Sequence, residues 1–264
     1  MQDFGFHRPQ NLAAAVETLK KRPDGKYLGG GQSLIPVMKL GLASPSDLVS
    51  LSALPELKGI RVDGKELVVG AGATHAEVAD SAEVRRVLPA LAGLAAHIGD
   101  PQVRNRGTLG GSLAHDDPNA DYPAAVLALD ATVVTDRRRI PADGFFKGLF
   151  STALGPDEII VSVRFPLPEK AAYAKLPHPA SKFALVGVFV AKGPAGVRVA
   201  VTGAGAGVFR AAALEQALAK RFASEALAGA SIPSAGLQGD AFGSAEYRAH
   251  LVVVLARRAL EACA

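Results

Sequence analysis

Cysteine is nearly missing from this sequence of 264 residues: the single copy is Cys263. One thiol can build neither an intrachain disulfide nor a cysteine-ligated zinc or iron–sulfur site, so any such cluster must belong to a partner. Tryptophan is absent and aromatic residues make up 6%, which leaves little stacking surface for single-stranded nucleic acid. No apolar run approaches the roughly 18 residues of a membrane span. The opening MQDFGFHRPQ also lacks the apolar stretch of a signal peptide. The expectation is a cytoplasmic protein with no membrane span. An excess of one charge is lacking too, because 29 basic residues are offset by 25 acidic ones and spread along the chain. The compact basic run Arg137-Arg138-Arg139 reads as a solvated turn between strands, so no nucleic-acid partner is expected despite a pI near 9.2. The six histidines form no close pair and no HExxH occurs, so no metal site is expected either.

What is present supports a folded chain: 49% of residues are hydrophobic, enough for one large domain or two to three smaller ones. Residues 11–22 place Leu12, Ala15, Val16 and Leu19 on one helical face before a Pro-Asp-Gly stop. Lys26-Tyr27-Leu28 reads as a short strand, followed by Gly29-Gly30-Gly31-Gln32-Ser33 and a helix start at LIPVMKLGL. Residues 47–51 read as a strand, and GIRVDGKELVVGAG as a hairpin turning at Asp63-Gly64. Residues 74–99 read as helical, with Thr74 as N-cap and a break near Pro89. Short strands follow at ATVVTD and EIIVSVRF. Beyond residue 170, FALVGVFVAKG and GVRVAVTGAG read as paired strands and LEQALAKRF and YRAHLVVVLARRALEACA as helices, a separate C-terminal α+β unit.

Two glycine-rich stretches stand out, Gly29-Gly30-Gly31-Gln32-Ser33 and Gly107-Thr108-Leu109-Gly110-Gly111-Ser112. Glycine lets backbone N–H groups approach an anion without an intervening Cβ, and the hydroxyls can donate as well, so the two together could clamp a pyrophosphate. Each also suits a simple tight connection. Neither matches GxGxxG or GxxxxGK[ST], which removes Rossmann and P-loop sites. Gly203-Ala204-Gly205-Ala206-Gly207 follows a strand but has Val208 where a dinucleotide fingerprint needs glycine, and reads as a turn. No nucleophile elbow or catalytic carboxylate pair emerges.

The stretches GGGQSLIPVMKL, VRNRGTLGGSLAHDDPNADYPAA, DEIIVSVRFP, YAKLPHPASKFALVGV and AEYRAHL together resemble the FAD-binding medium subunit of molybdenum hydroxylases, the group that includes carbon monoxide dehydrogenase and xanthine dehydrogenase. The resemblance spans nearly the whole chain. It departs at Gly29, where alanine is usual, and at Leu109, where isoleucine is common. It implies a two-lobed α/β (α+β) FAD-binding domain of the vanillyl-alcohol-oxidase (PCMH) type over residues 1–170, with lobes of about 1–55 and 56–170, and a C-terminal α+β domain over 171–264.

The resemblance further implies that Tyr27, Leu28, Gly29, Gly30, Gly31, Gln32, Ser33 and Leu34 hold the FAD pyrophosphate together with Thr108, Leu109, Gly110, Gly111 and Ser112. Asp121 matches an aspartate that bonds hydroxyls of the cofactor, as suits a group with two acceptor oxygens. Ile160 and Lys175 fall at positions lining the flavin, where Lys175 would favour the anionic reduced form, and Tyr173 is a candidate neighbour of the ring. His115 has either a role near the phosphates or ribitol or a structural hydrogen bond; Asp116 and Asp117 read as solvated loop residues. No side chain is expected to be catalytic, the flavin being the reactive group. The implied partners are a small [2Fe–2S] subunit and a large molybdenum-cofactor subunit, assembled as a dimer of heterotrimers. Electrons would pass from the clusters to FAD and on to an external acceptor. The alternatives are a stand-alone FAD oxidoreductase of the same fold and a non-catalytic assembly partner, the latter opposed by the intact glycine stretches and Asp121.

Overall fold

Local signals set the first elements. The Asn11 side chain caps helix Leu12–Lys20 by accepting from the Ala14 amide at 2.8 Å, and Ala15 and Leu19 form its buried face. The computed structural model describes residues 2–263. Strands Gly5–His7, Asp47–Ser50 and Lys26–Leu28 form a small parallel sheet with Asp47–Ser50 at its centre. Its core joins Ala15, Leu19, Val49, Leu54 and Leu57 to Ile159, a residue contributed from more than 100 positions downstream.

A second sheet of five antiparallel strands runs in the order Ile60–Asp63, Glu66–Gly70, Ile160–Pro166, Thr132–Thr135, Arg139–Pro141. The first two form the hairpin expected at Asp63-Gly64, and Gly64 takes the positive φ of 62° that its turn requires. The helical stretch after Thr74 is three helices, His75–Asp80, Ala82–Val87 and Pro89–Ala96. The break at Pro89 was anticipated; that at Ser81 was not, and arises because its hydroxyl caps the next helix by accepting from the Val84 amide. Arg137 and Arg138 do sit between strands and Arg139 opens the next one, yet Arg138 pairs at 2.8 Å with Glu158, whose side chain is sealed from solvent.

The third sheet is antiparallel, in the order Lys170–Pro177, Ala184–Gly193, Gly196–Thr202, Phe209–Arg210. Strand Ala184–Gly193 is an almost unbroken apolar run because both of its faces are covered. Val186, Val188 and Val190 pack with Leu251, Val252 and Leu255 of helix Ala245–Ala262, whereas Phe189 and Ala191 enter the core built around the five-stranded sheet. Helix Tyr122–Ala128, buried at every position, packs on strands Ala184–Gly193 and Gly196–Thr202 and shares the core built around the five-stranded sheet.

Candidate functional site

The first glycine stretch leaves strand Lys26–Leu28 and turns at Gly31, whose φ is +74°. Helix Leu34–Lys39 then closes it, with Ile35 N–H donating to Gly31 O at 3.2 Å and Val37 N–H to Ser33 O at 3.1 Å. Among the described residues, the amides of Gly29 through Leu34 have no hydrogen-bond acceptor in the protein. All of these residues line a cavity of about 930 Å³, as do Tyr27 and Leu28. A run of free N–H groups along one wall is a donor surface for an anion.

The second stretch is built differently. It is the first turn of helix Leu109–His115, capped by Thr108, whose hydroxyl accepts from the Gly111 amide at 3.1 Å. Leu109 N–H donates to Ala73 O at 3.0 Å, Gly110 N–H to Ala71 O at 2.8 Å, and Ser112 N–H to Thr108 O at 3.0 Å. In this stretch only the Thr108 N–H has no acceptor among the described residues, so a second row of free N–H groups like the first does not form. Thr108, Gly110, Gly111 and Ser112 still line the cavity. Leu109 does not; its side chain is buried in the core, which corrects its assignment to the cofactor wall.

The glycines instead let protein meet protein. A Cβ on Gly30 would stand 2.7 Å from Gly107 Cα and overlap the Arg106 carbonyl, and one on Gly110 would stand 2.6 Å from Ala71 Cβ. The two stretches therefore abut backbone to backbone and form one continuous wall.

Asp121, 3% exposed, also borders the cavity. Tyr173 OH donates to its Oδ1 at 2.5 Å, and Lys175 Nζ reaches Oδ1 at 2.8 Å and Oδ2 at 3.1 Å. Lys175 also donates to His97 O at 2.9 Å. Tyr173 and Lys175 are two apart on strand Lys170–Pro177 and so share a face, which delivers both to the carboxylate. Burial pushes the Asp121 carboxyl up against the opposing pull of the Lys175 ammonium, and burial likewise raises the Tyr173 phenol. Neither Tyr173 nor Lys175 lines the cavity. Where the resemblance set them beside the flavin, the structure shows both bonded to Asp121.

Ile160 supplies an apolar wall, and His115 lines the cavity with its ring against Phe150, the centroids 5.1 Å apart. Arg106 and Lys182 add cationic groups that pair with no carboxylate among the described residues. Asp117 borders the cavity, but Asp116 is not the solvated residue expected. It is 1% exposed, sits in the left-handed region at φ 49° where the helix ends, and has no partner for either carboxylate oxygen. Burial, with the Asp117 charge adding to it, pushes its carboxyl up to about 7. Sequence reasoning also missed His75, Phe150 and Phe183, which reach the cavity from separate segments. No group of three His, Cys, Asp or Glu side chains able to hold a metal ion occurs among the described residues.

Residues 2–168 match the family described as the FAD binding domain in molybdopterin dehydrogenase. The chain is 37% identical to the carbon monoxide dehydrogenase medium chain of Hydrogenophaga pseudoflava, over 98% of this chain and 96% of that one. It is 38% identical to the nicotine 6-hydroxylase medium subunit of Paenarthrobacter nicotinovorans, over 97% and 95%. Among solved structures it is similar to the carbon monoxide dehydrogenase of Hydrogenophaga pseudoflava lacking the Mo-pyranopterin moiety of the molybdenum cofactor. That match has a TM-score of 0.88 at 36% identity and covers 99% of this chain and 97% of the other.

Proposed function

Since the chain belongs to the FAD-binding medium subunits of the molybdenum hydroxylase family, of the carbon monoxide and xanthine dehydrogenase type, we propose that it receives electrons from [2Fe–2S] clusters on a partner subunit and delivers them through FAD to an external acceptor. The observation that carries this reading is the row of unpartnered amides from Gly29 to Leu34 along the cavity wall. Such a row fits an anionic diphosphate, and a bordering carboxylate fits vicinal hydroxyls.

In this reading the amides of Gly29 through Leu34 bind the pyrophosphate, while the Thr108 and Ser112 side chains and the cations Arg106 and Lys182 complete its surroundings. Asp121 orients a hydroxyl of the cofactor's sugar or ribityl chain. Its two oxygens can each accept a further bond beside those from Tyr173 and Lys175, which hold the carboxylate in place. Ile160 excludes water from an apolar face. When bound, FAD supplies a centre that exchanges electrons singly or in pairs; the protein's own work is binding, orientation and exclusion of solvent.

The reading includes a small [2Fe–2S] subunit and a large molybdenum-cofactor subunit, in a dimer of heterotrimers. Two relatives of almost full matching length are named for carbon monoxide and for nicotine, which supports placing the choice of substrate on the large subunit. We further divide the chain into an FAD-binding domain over 1–170, with lobes of about 1–55 and 56–170, and a C-terminal domain over 171–264. The change of sheet at Lys170 supports that division.

Acid precipitation of the purified protein should release one FAD per chain. Protein prepared with excess FAD that stays colourless overturns the reading. Isolation from the native source should recover a larger and a cysteine-rich smaller partner, whereas full substrate turnover by this chain with FAD alone overturns the subunit assignment.

A further inference from the structure

His75 begins helix His75–Asp80 and is fixed from both sides. Thr74 caps the helix by accepting from the Glu77 amide at 3.1 Å and donates its own N–H to Glu77 Oε2 at 2.7 Å, while His75 N–H donates to Gly107 O at 2.9 Å. The ring lies under Gly107 and 5.3 Å, centroid to centroid, from the ring of Tyr122. It is 5% exposed, and that remainder borders the cavity. Its two nitrogens differ. Nδ1 is sealed in the protein with no hydrogen-bond partner; Nε2 is not among the sealed atoms and also has no protein partner.

That asymmetry selects a tautomer. A sealed N–H with no acceptor forfeits a strong donor, whereas a neutral ring with its proton on Nε2 leaves only a lone pair unmatched inside and presents its donor to the cavity. Burial, reinforced by the Arg104 charge, pushes the ring's pKa down to about 4, so it is uncharged at neutral pH. The location is the seam of the wall, because Gly107 separates the ring from Gly30 and the free amides that follow it. The ring and the free amides border the same cavity, and donors set around one cavity call for an anionic acceptor.

Resting on the FAD reading above, we propose that His75 is a further binding residue, a neutral Nε2–H donor to a phosphate oxygen of the cofactor at the junction of the two glycine stretches. The competing role is packing, with the ring only filling space between Gly107 and Tyr122. FAD affinity, measured by flavin fluorescence on the parent, His75→Leu and His75→Gln, separates the two. We expect roughly ten- to hundredfold weaker binding for the leucine variant, the share of one hydrogen bond to a charged phosphate, and recovery in the glutamine variant, whose amide can reach the Nε2 position. Nitrogen-15 NMR of the parent should show the Nε2–H tautomer, with Nε2 and not Nδ1 shifting when FAD is added. A parent that binds no FAD brings down the functional reading and this inference with it. A parent that binds FAD, with equal affinity in the leucine variant, overturns the inference alone. An Nδ1–H tautomer in the parent also overturns it, whether or not the variants fold.

Discussion

Replacing Gly110 by alanine should weaken the fold and spare FAD binding, although this glycine lies in the motif that resembles a phosphate loop. The added Cβ would stand 2.6 Å from Ala71 Cβ and 2.9 Å from Ala71 O, so the helix start must recede by about 0.8 Å to reach the 3.4 Å of ordinary contact. Overpacking of that kind costs roughly 1–3 kcal/mol. The shift also stretches the 2.8 Å bond from Gly110 N–H to Ala71 O, at roughly 0.5–1.5 kcal/mol. Better helix propensity returns about 1 kcal/mol. The net loss is roughly 1–3 kcal/mol, or a fall in Tm of roughly 2–12 °C for a chain of this size. Gly31→Ala is the contrast, because there the backbone sits at φ +74° with Ile35 Cγ1 3.1 Å from the new atom. Relief of that strain rotates amides that have no other partner, and loss of two bonds to a charged phosphate lowers affinity by about two to four orders of magnitude. Calorimetry without FAD and flavin fluorescence titration well below the Tm read the two effects separately. Gly110→Ala with an unchanged Tm and FAD affinity down a hundredfold or more would refute the reasoning.

Lys175→Met should destabilise the protein by roughly 3–5 kcal/mol in urea titrations by stranding the buried Asp121 carboxylate, and adding Asp121→Asn should restore much of that; strictly additive losses would show that the pair is not coupled. Asp116 has its pKa raised to about 7 from 3.8, so its contribution to stability is present at acidic pH and is lost as pH rises from 3.8 through 7. Asp116→Asn should therefore reduce the stability difference between pH 5 and pH 8 by roughly 1–3 kcal/mol, and an unchanged difference counts against a buried, unpartnered carboxyl. For His75 the sign reverses. Its pKa is depressed to about 4 from 6.5, so its contribution is complete above pH 6.5 and falls away toward pH 4, by about 3 kcal/mol in all. His75→Gln should flatten that limb of the stability curve, and parallel curves for parent and variant would contradict it.

Elements with a strong local signal were legible in the sequence: the Asn11-capped helix, the Asp63-Gly64 hairpin and the apolar strand that became Ala184–Gly193. Strand Lys170–Pro177 escaped notice because alanine and lysine dominate it and its place is set by pairing with Ala184–Gly193. The first glycine stretch behaves as its composition suggests. The second does not, since two glycines disfavour a helix and only the Thr108 cap and the contact with Ala71 make the segment helical. Within Gly203–Gly207, Gly205 bridges to Leu237, and Gly203 sits at φ +79° where a Cβ would also meet the Ala184 and Leu185 carbonyls. Asp121 was identifiable from its motif, but its support was not. Tyr173 and Lys175 lie more than 50 residues away, and no local pattern indicates that their shared face meets one carboxylate.

That support has a consequence for modularity. The family match ends at residue 168, yet the hydroxyl and ammonium that hold Asp121 come from positions 173 and 175. A chimera that joins the first 168 residues to an unrelated C-terminal sheet would carry every glycine of the wall and still leave this carboxylate without its counter-ion. Recombination between relatives is thus constrained at the junction: the recipient's edge strand must bring a tyrosine and a lysine, spaced by two, to the same side.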